Sequence, residues 1–157
     1  MNIRTLPRLV LVAAVFAALA SCASAPAGPG SGDISFRLVW TGNADLDLYV
    51  VSPLGERVDF TTRKVGSGGT LDVDCNVRNN KCPAPMENVF WPRHLAPQGE
   101  YRYAVNDATE EGIEPDVGSW VLEVRVLDRV VKQHSGTTAS LRESIFQEKI
   151  SFTRKVR

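Results

Sequence analysis

From Ile34 onward, apolar and polar residues alternate with a period of two, the spacing that puts successive side chains on opposite faces of a β-strand. Ile34, Phe36, Leu38 and Trp40 share one face of a first strand. In Asp45-Leu46-Asp47-Leu48-Tyr49-Val50, a second strand, the aliphatic residues turn inward and Asp45 and Asp47 outward. Ser52-Pro53-Leu54-Gly55 reads as a β-turn, with proline fixing φ at its second position. Glu56 to Arg63 follows as a third strand with Val58 and Phe60 inside. Gly66-Ser67-Gly68-Gly69 ends it and leads into Gly69-Thr70-Leu71-Asp72-Val73-Asp74, where alternation predicts Leu71 and Val73 inward and Asp72 and Asp74 outward.

Beyond Asp74 the pattern pauses in a loop from Asn76 to Met86, rich in asparagine and proline. It resumes in a short strand from Glu87 to Trp91 and in Glu100 to Asn106, which buries Tyr101, Tyr103 and Val105. An acidic loop runs from Asp107 to Gly118. Trp120, Leu122, Val124 and Val126 then mark another strand, turned back at Asp128-Arg129 into Val130 to His134. Thr137 to Glu143 has room for one helical turn, and Phe146, Ile150 and Phe152 share a face of the last strand. About eight short strands, with turns between them and no crossover helix, predict an all-β fold: an antiparallel β-sandwich of jelly-roll-like type. The parity of Trp40, Trp91 and Trp120 places them in its core, although tryptophans also stack on sugars in carbohydrate-binding sandwiches.

The amino terminus follows another rule. Arg4 and Arg8 precede an almost wholly apolar run from Leu9 to Ala18, which closes with small residues before a cysteine. That order is a secretory signal peptide, and the run is shorter than the ~20 residues a spanning helix needs. Leu19-Ala20-Ser21-Cys22 resembles the lipobox of bacterial lipoproteins. The resemblance implies a lipidated Cys22, carrying acyl chains such as palmitate, as the new amino terminus. Ala23 in place of aspartate implies the outer membrane, with the domain facing the periplasm or the cell surface. An ordinary cleaved signal with a coincidental cysteine is the alternative. The expected organisation is therefore a signal helix over 1–21, a flexible tether rich in Ala, Pro, Gly and Ser over 22–33, and a single β-sandwich domain over 34–157.

Charge excludes one class of partner. Lys and Arg total 18 against 18 for Asp and Glu, and loss of the signal removes only basic residues, so nothing here recommends nucleic acid. With Cys22 taken by lipid, Cys75 and Cys82 remain as an even pair in an exported chain, and a disulfide is the default; a zinc site is the weaker alternative, because two cysteines with only His94 nearby fall short of the usual four ligands. Closing so short a loop stabilises by about 2–3 kcal/mol on the chain-entropy argument. Catalysis finds little support. There is no nucleophile elbow, no His-Glu-x-x-His and no phosphate-cradling glycine loop, and His94 and His134 read as surface loop or strand residues.

What remains is the acids. If the two Asp-x-Asp strands are neighbours, their carboxylates gather in a small volume, where each like-charged pair at roughly 5 Å costs about 1 kcal/mol in water and about 3 at an effective dielectric near 20. Hydration, Arg63 or Lys64, or a divalent cation would offset that. Calcium takes six to eight oxygens in irregular geometry, and Asp45, Asp47, Asp72 and Asp74, with Asn76 and Glu87, offer only oxygen. The plainer reading is a hydrated outer face. Aspartate is nonetheless disfavoured in strands, and four at matching alternation call for a reason.

Several ordered blocks carry a family resemblance. Trp40, Asp45-Leu46-Asp47-Leu48-Tyr49-Val50, Ser52-Pro53-x-Gly55, Gly68-Gly69-x-Leu71-Asp72-Val73-Asp74, Pro85-x-Glu87-Asn88-Val89, Trp91 and Pro97-x-Gly99-x-Tyr101 together resemble the bacterial YfaP-like domains of unknown function. The likeness covers about residues 36 to 127. It implies an exported β-sandwich with its signature acids near one edge, and supplies no activity. Tyr49 stands where that family often has histidine, and Met86 interrupts its Gly-Pro-Glu-Asn run. The expectation is a non-enzymatic outer-membrane lipoprotein, held to the membrane by its lipid anchor, whose sandwich binds an envelope protein or glycan and whose acidic cluster holds a structural calcium. A metal-free component of an envelope assembly is one alternative, and a carboxylate-dependent hydrolase another.

Overall fold

The computed structural model describes residues 28–75, 82–110 and 118–154. The expected signal, Cys22 and Asn76 lie outside these residues. Nine strands are described: β1 (Ile34–Trp40), β2 (Leu46–Val51), β3 (Arg57–Val58), β4 (Thr70–Asp74), β5 (Met86–Trp91), β6 (Gly99–Asp107), β7 (Ser119–Val126), β8 (Arg129–Thr137) and β9 (Phe146–Phe152). One helix, α1 (Thr138–Glu143), joins β8 to β9. The strands form two antiparallel sheets, ordered β4-β5-β1-β7-β8 and β3-β2-β6-β9, and the fold is the all-β sandwich that the alternation predicts.

The inward residues of both sheets form one core. Ile34, Phe36 and Leu38 of β1 face Leu46, Leu48 and Val50 of β2, all fully buried, and each contributes about 1.5–3 kcal/mol by leaving water. At the centre Phe36 lies 5.1 Å from the Tyr103 ring and 6.0 Å from Tyr101, and Trp91 meets Tyr101 edge-on at 5.1 Å. The polar tips of these rings find partners. The Tyr101 hydroxyl donates to the Pro97 carbonyl and Trp91 Nε1 to Ser67 Oγ. Docking begins a little before the expected domain start. The Gly30 amide donates to Asp72, its carbonyl accepts from the buried Asn88, and Asp33 is buried under the Arg154 guanidinium.

Three local departures from strict alternation shape the rest. The strand expected over Glu56 to Arg63 shrinks to Arg57–Val58, because Asp59 turns inward and its Oδ1 accepts from Thr61 N, Thr61 Oγ1 and Thr62 N. That side-chain turn competes with the ladder and stops it. Val58 is buried as expected, but Phe60 is exposed and leans edge-on toward Tyr49. In β4 the register shifts between Leu71 and Val73, so Asp72 is the extra residue of a β-bulge. The β7–β8 hairpin turns on Leu127 and Asp128, both at positive φ (50° and 66°), one residue earlier than expected, and Arg129 already belongs to β8. The helical turn forms as expected, capped by Thr137 accepting from Ser140 N.

Candidate functional site

The β4 bulge decides which acids meet. Without it, Leu71 inward would put Asp72 and Asp74 together on the outside. With it, Asp74 stands opposite Glu87, the inward residue of β5, and its side chain is only 5 % exposed. Asp72 is left out of the group: it accepts from the Gly30 amide at 2.6 Å and from Asn88 Nδ2 at 2.7 Å. The expectation of two outward aspartates on this strand is therefore corrected. Asp74 turns in, and Asp72 ties down the segment that enters the fold.

Glu87 reaches from one sheet to the other. β3 pairs with β2 only at Val50 and Val51, which leaves the Leu48 amide beyond the end of that ladder. Glu87 Oε2 takes that amide at 2.6 Å. Of the expected ligands, Asp45, Asp47, Asp74 and Glu87 thus form one electrostatic group spanning the sheets, Asp72 stands apart, and Asn76 is outside the described residues.

Charges in the group oppose one another. Burial, relieved in part by the Leu48 amide and reinforced by Asp47, Asp74 and Asp45, pushes the Glu87 carboxyl up to about 9. Burial and then the charges of Asp47, Asp74, Asp107 and Glu110 raise Asp45 to about 6. Asp47 is also raised by burial, against the pull of the Tyr49 hydroxyl, which donates to its Oδ2 at 3.1 Å. Basic residues answer at the rim. Arg63 Nη1 lies 2.8 Å from Asp74 Oδ2, Arg57 pairs with Asp59 and stacks 4.4 Å above the Tyr49 ring, and Arg142 Nε is 3.4 Å from Asp107 Oδ2. Arg63 is one of the two neutralising residues expected from the sequence.

Asp107 escaped sequence reasoning. It looks like the first residue of a loop, yet it closes β6 opposite Leu46, buried beside the acids. Its only signal was its place one residue past a well-marked strand. His134 is a strand residue of the edge strand β8, one of the two placements expected. It is half-buried, its Nε2 lies 3.0 Å from the Tyr103 hydroxyl, and burial followed by the charge of Lys132 lowers its pKa. His94 is exposed in a loop at φ 70°. The Cys75–Cys82 disulfide forms, with Cα atoms 5.7 Å apart.

The donor chemistry of the acidic group, all oxygen, fits a hard cation. Among the described residues no group of three His, Cys, Asp or Glu stands at metal-ligand spacing. A shallow groove of about 750 Å³ crosses the outer face of the four-stranded sheet, and Tyr49, Arg57, Arg102 and Lys149 line it. Tyr49 belongs to both features, its ring in the groove and its hydroxyl on Asp47. Comparison with known proteins found no matching family model, no matching curated protein and no matching solved structure.

Proposed function

We propose that the chain is a non-enzymatic binding domain of the bacterial envelope, anchored in the outer membrane by lipid on Cys22, whose acidic cluster takes up calcium where the two sheets meet. The supporting observation is electrostatic. Asp45 and Asp47 come with one sheet, Asp74 and Glu87 with the other, and burial with mutual repulsion drives Asp45, Asp47 and Glu87 toward their neutral forms. A dication among them would turn repulsion into attraction and tie β2 to β4 and β5. Ion uptake would expel the Glu87 proton and compete with Arg63 for Asp74, so calcium affinity would rise with pH. The anchor rests on the Leu19-Ala20-Ser21-Cys22 motif, and kinship with YfaP-like domains on the sequence blocks that resemble them. The partner under this reading is an envelope protein or glycan.

A second reading, a metal-free structural component of an envelope assembly, is favoured by the protein partners the acids already have: Tyr49 for Asp47, Arg63 for Asp74 and the Leu48 amide for Glu87. Thermal unfolding of the purified protein, with chelator or with calcium at about 1 mM, the affinity range of extracellular calcium modules, separates the two. Calcium binding raises the melting temperature more at pH 8 than at pH 6. The rise disappears in Asp47→Ala and persists in Asp72→Ala, whose carboxylate lies outside the cluster. No rise at either pH leaves the metal-free reading standing.

A further inference from the structure

The four-stranded sheet carries a row of basic side chains on its outer face. Its ladders set Arg57 of β3 opposite Val51 of β2, Val51 opposite Arg102 of β6, and Arg102 opposite Lys149 of β9, so the four residues stand at one level across the sheet. All four line the groove of about 750 Å³. Neighbouring strands lie about 4.8 Å apart, which gathers three cations within about 15 Å of sheet. Arg102 is exposed and stands at the centre of the charge. Among the described residues its guanidinium meets no carboxylate and makes no hydrogen bond, while the side chain directly across the ladder is the like-charged Lys149. Like charges placed directly opposite destabilise a sheet, so the free protein holds a repulsion here that a bound anion would relieve.

The other two cations have partners that leave the row accessible. Arg57 is held from two sides, its Nε on the Asp59 carboxylate and its guanidinium carbon 4.4 Å from the centre of the Tyr49 ring. Its terminal nitrogens make no hydrogen bond among the described residues, so a guanidinium already fixed in place keeps its outer edge for a ligand. Lys149 Nζ lies 3.2 Å from Glu100 Oε2, and both side chains are exposed. Such a pair is worth about 0–1 kcal/mol, a hold that a ligand carboxylate can replace. Glu148, the acid in the lining, is taken by Lys132 of β8 at 2.9 Å. Beside the cations, Val51 and Ala104 form a low apolar floor, and Asn106 and Gln147 carry amides.

The occupant that relieves this row is an anion, and the fold narrows which kind. At this level β2 and β6 are paired with a neighbour on both sides, so neither offers a free backbone edge to an added peptide strand. A flat lipid surface meets cations that protrude, and these line a groove. A chain that brings its own carboxylates, C–H faces for Val51 and Ala104, and hydroxyls for Asn106 and Gln147 satisfies every part of the lining. We infer that the groove binds an acidic glycan built of uronic acid units, one carboxylate gripped by the Arg102 guanidinium and its neighbours set against Arg57 and Lys149. A guanidinium donates two parallel N–H bonds to a carboxylate, which fixes the sugar's orientation as well as its charge. The inference rests on the reading of the chain as a binding domain, names the class of its glycan partner, and is independent of calcium.

The test follows the backbone amides of the purified protein by two-dimensional NMR in chelator. Short oligomers of galacturonate, glucuronate and mannuronate are each added to about 10 mM, tenfold above a Kd of about 1 mM. At least one produces saturable shifts at Val51, Arg102 and Lys149, and its methyl ester, the same chain without the charge, produces none. Arg102→Gln weakens binding at least tenfold, whereas Arg129→Gln, an equal loss of charge at the start of β8, leaves it unchanged. Because Arg102→Gln relieves the repulsion from Lys149, its urea midpoint is no lower than the parent's. The inference is overturned by the absence of a saturable shift with every uronate, or by equal binding of the methyl ester, of oligoglutamate or of phosphatidylglycerol vesicles. It is equally overturned if Arg102→Gln binds at full strength or unfolds more readily than the parent, or if Arg129→Gln weakens binding as much. Because chelator is present throughout, a failed calcium response and a failed glycan response are read separately.

Discussion

Replacing Glu87 with glutamine should make the metal-free protein more stable at neutral pH. In the unfolded chain this carboxyl ionises near its ordinary value of 4.5, whereas burial, Asp47, Asp74 and Asp45 keep its proton on to about pH 9 in the fold. Between those values the folded state holds the extra proton, so stability falls as pH rises and levels off above about 9. At 1.36 kcal/mol per pKa unit the penalty reaches about 3 kcal/mol by pH 7. Asp45 and Asp47, also raised, tilt the profile the same way. Asp33 and Asp59 act on the acid side. Burial opposes them, but Arg154 and backbone amides lower Asp33, and Thr61, Thr62 and Arg57 lower Asp59, so their contribution is lost as pH falls below the ordinary carboxylate range. The metal-free protein should therefore be most stable near pH 5. Glu87→Gln keeps an acceptor for the Leu48 amide and removes the titration. Urea unfolding followed by tryptophan fluorescence at pH 5 to 9, in chelator, should show a gain of about 2–4 kcal/mol at pH 7.5, little change at pH 5 and a flatter profile. Parent stability that climbs from pH 5 to 8, or a variant less stable than the parent at pH 8, would refute the reasoning.

Two further outcomes test the frame around the site. In Gly69→Ala the new methyl would overlap the Trp91 ring, standing 2.9 Å from Nε1, so a loss of about 1–3 kcal/mol is expected; an unchanged urea midpoint would mean that the Trp91 ring shifts freely. Arg154→Ala strips Asp33 of the guanidinium 2.7 Å from its Oδ2. Because that guanidinium is itself partly exposed, the cost should sit at the low end of about 3–5 kcal/mol, and acid unfolding should begin at higher pH. An acid transition at the parental pH would show that backbone amides alone hold Asp33 ionised.

The sandwich was legible because its inward residues obey parity with few exceptions: Phe36, Leu48, Tyr103 and Leu122 all point where alternation puts them. The acidic group was legible in membership more than in placement. Asp45, Asp47 and Glu87 lie where strand assignment suggests, but Asp74 arrives through a bulge that no residue in Leu71-Asp72-Val73 announces. The early end of β3 was similarly hidden, since Val58-Asp59-Phe60 reads equally well as alternation and as a side-chain turn. Whether Asp59 bonds forward to Thr61 and Thr62 or faces solvent depends on what covers it, which is a tertiary fact. The packing of Gly136 against Trp120 left a different kind of trace. A glycine inside a strand is a weak signal on its own, and it gains meaning only when Trp120 turns out to be its cross-strand partner.

The single unmatched residue at Asp72 also bears on how chains of this kind are compared. Two proteins with identical letters from Leu71 to Asp74 would differ in their surfaces if only one carried the extra residue in its ladder. One would show a pair of acids to water, and the other would hide one of them against the opposite layer. Identity over such a stretch therefore guarantees a shared composition but not a shared chemistry, and strand pairing has to be known before the motif can be transferred from one chain to another.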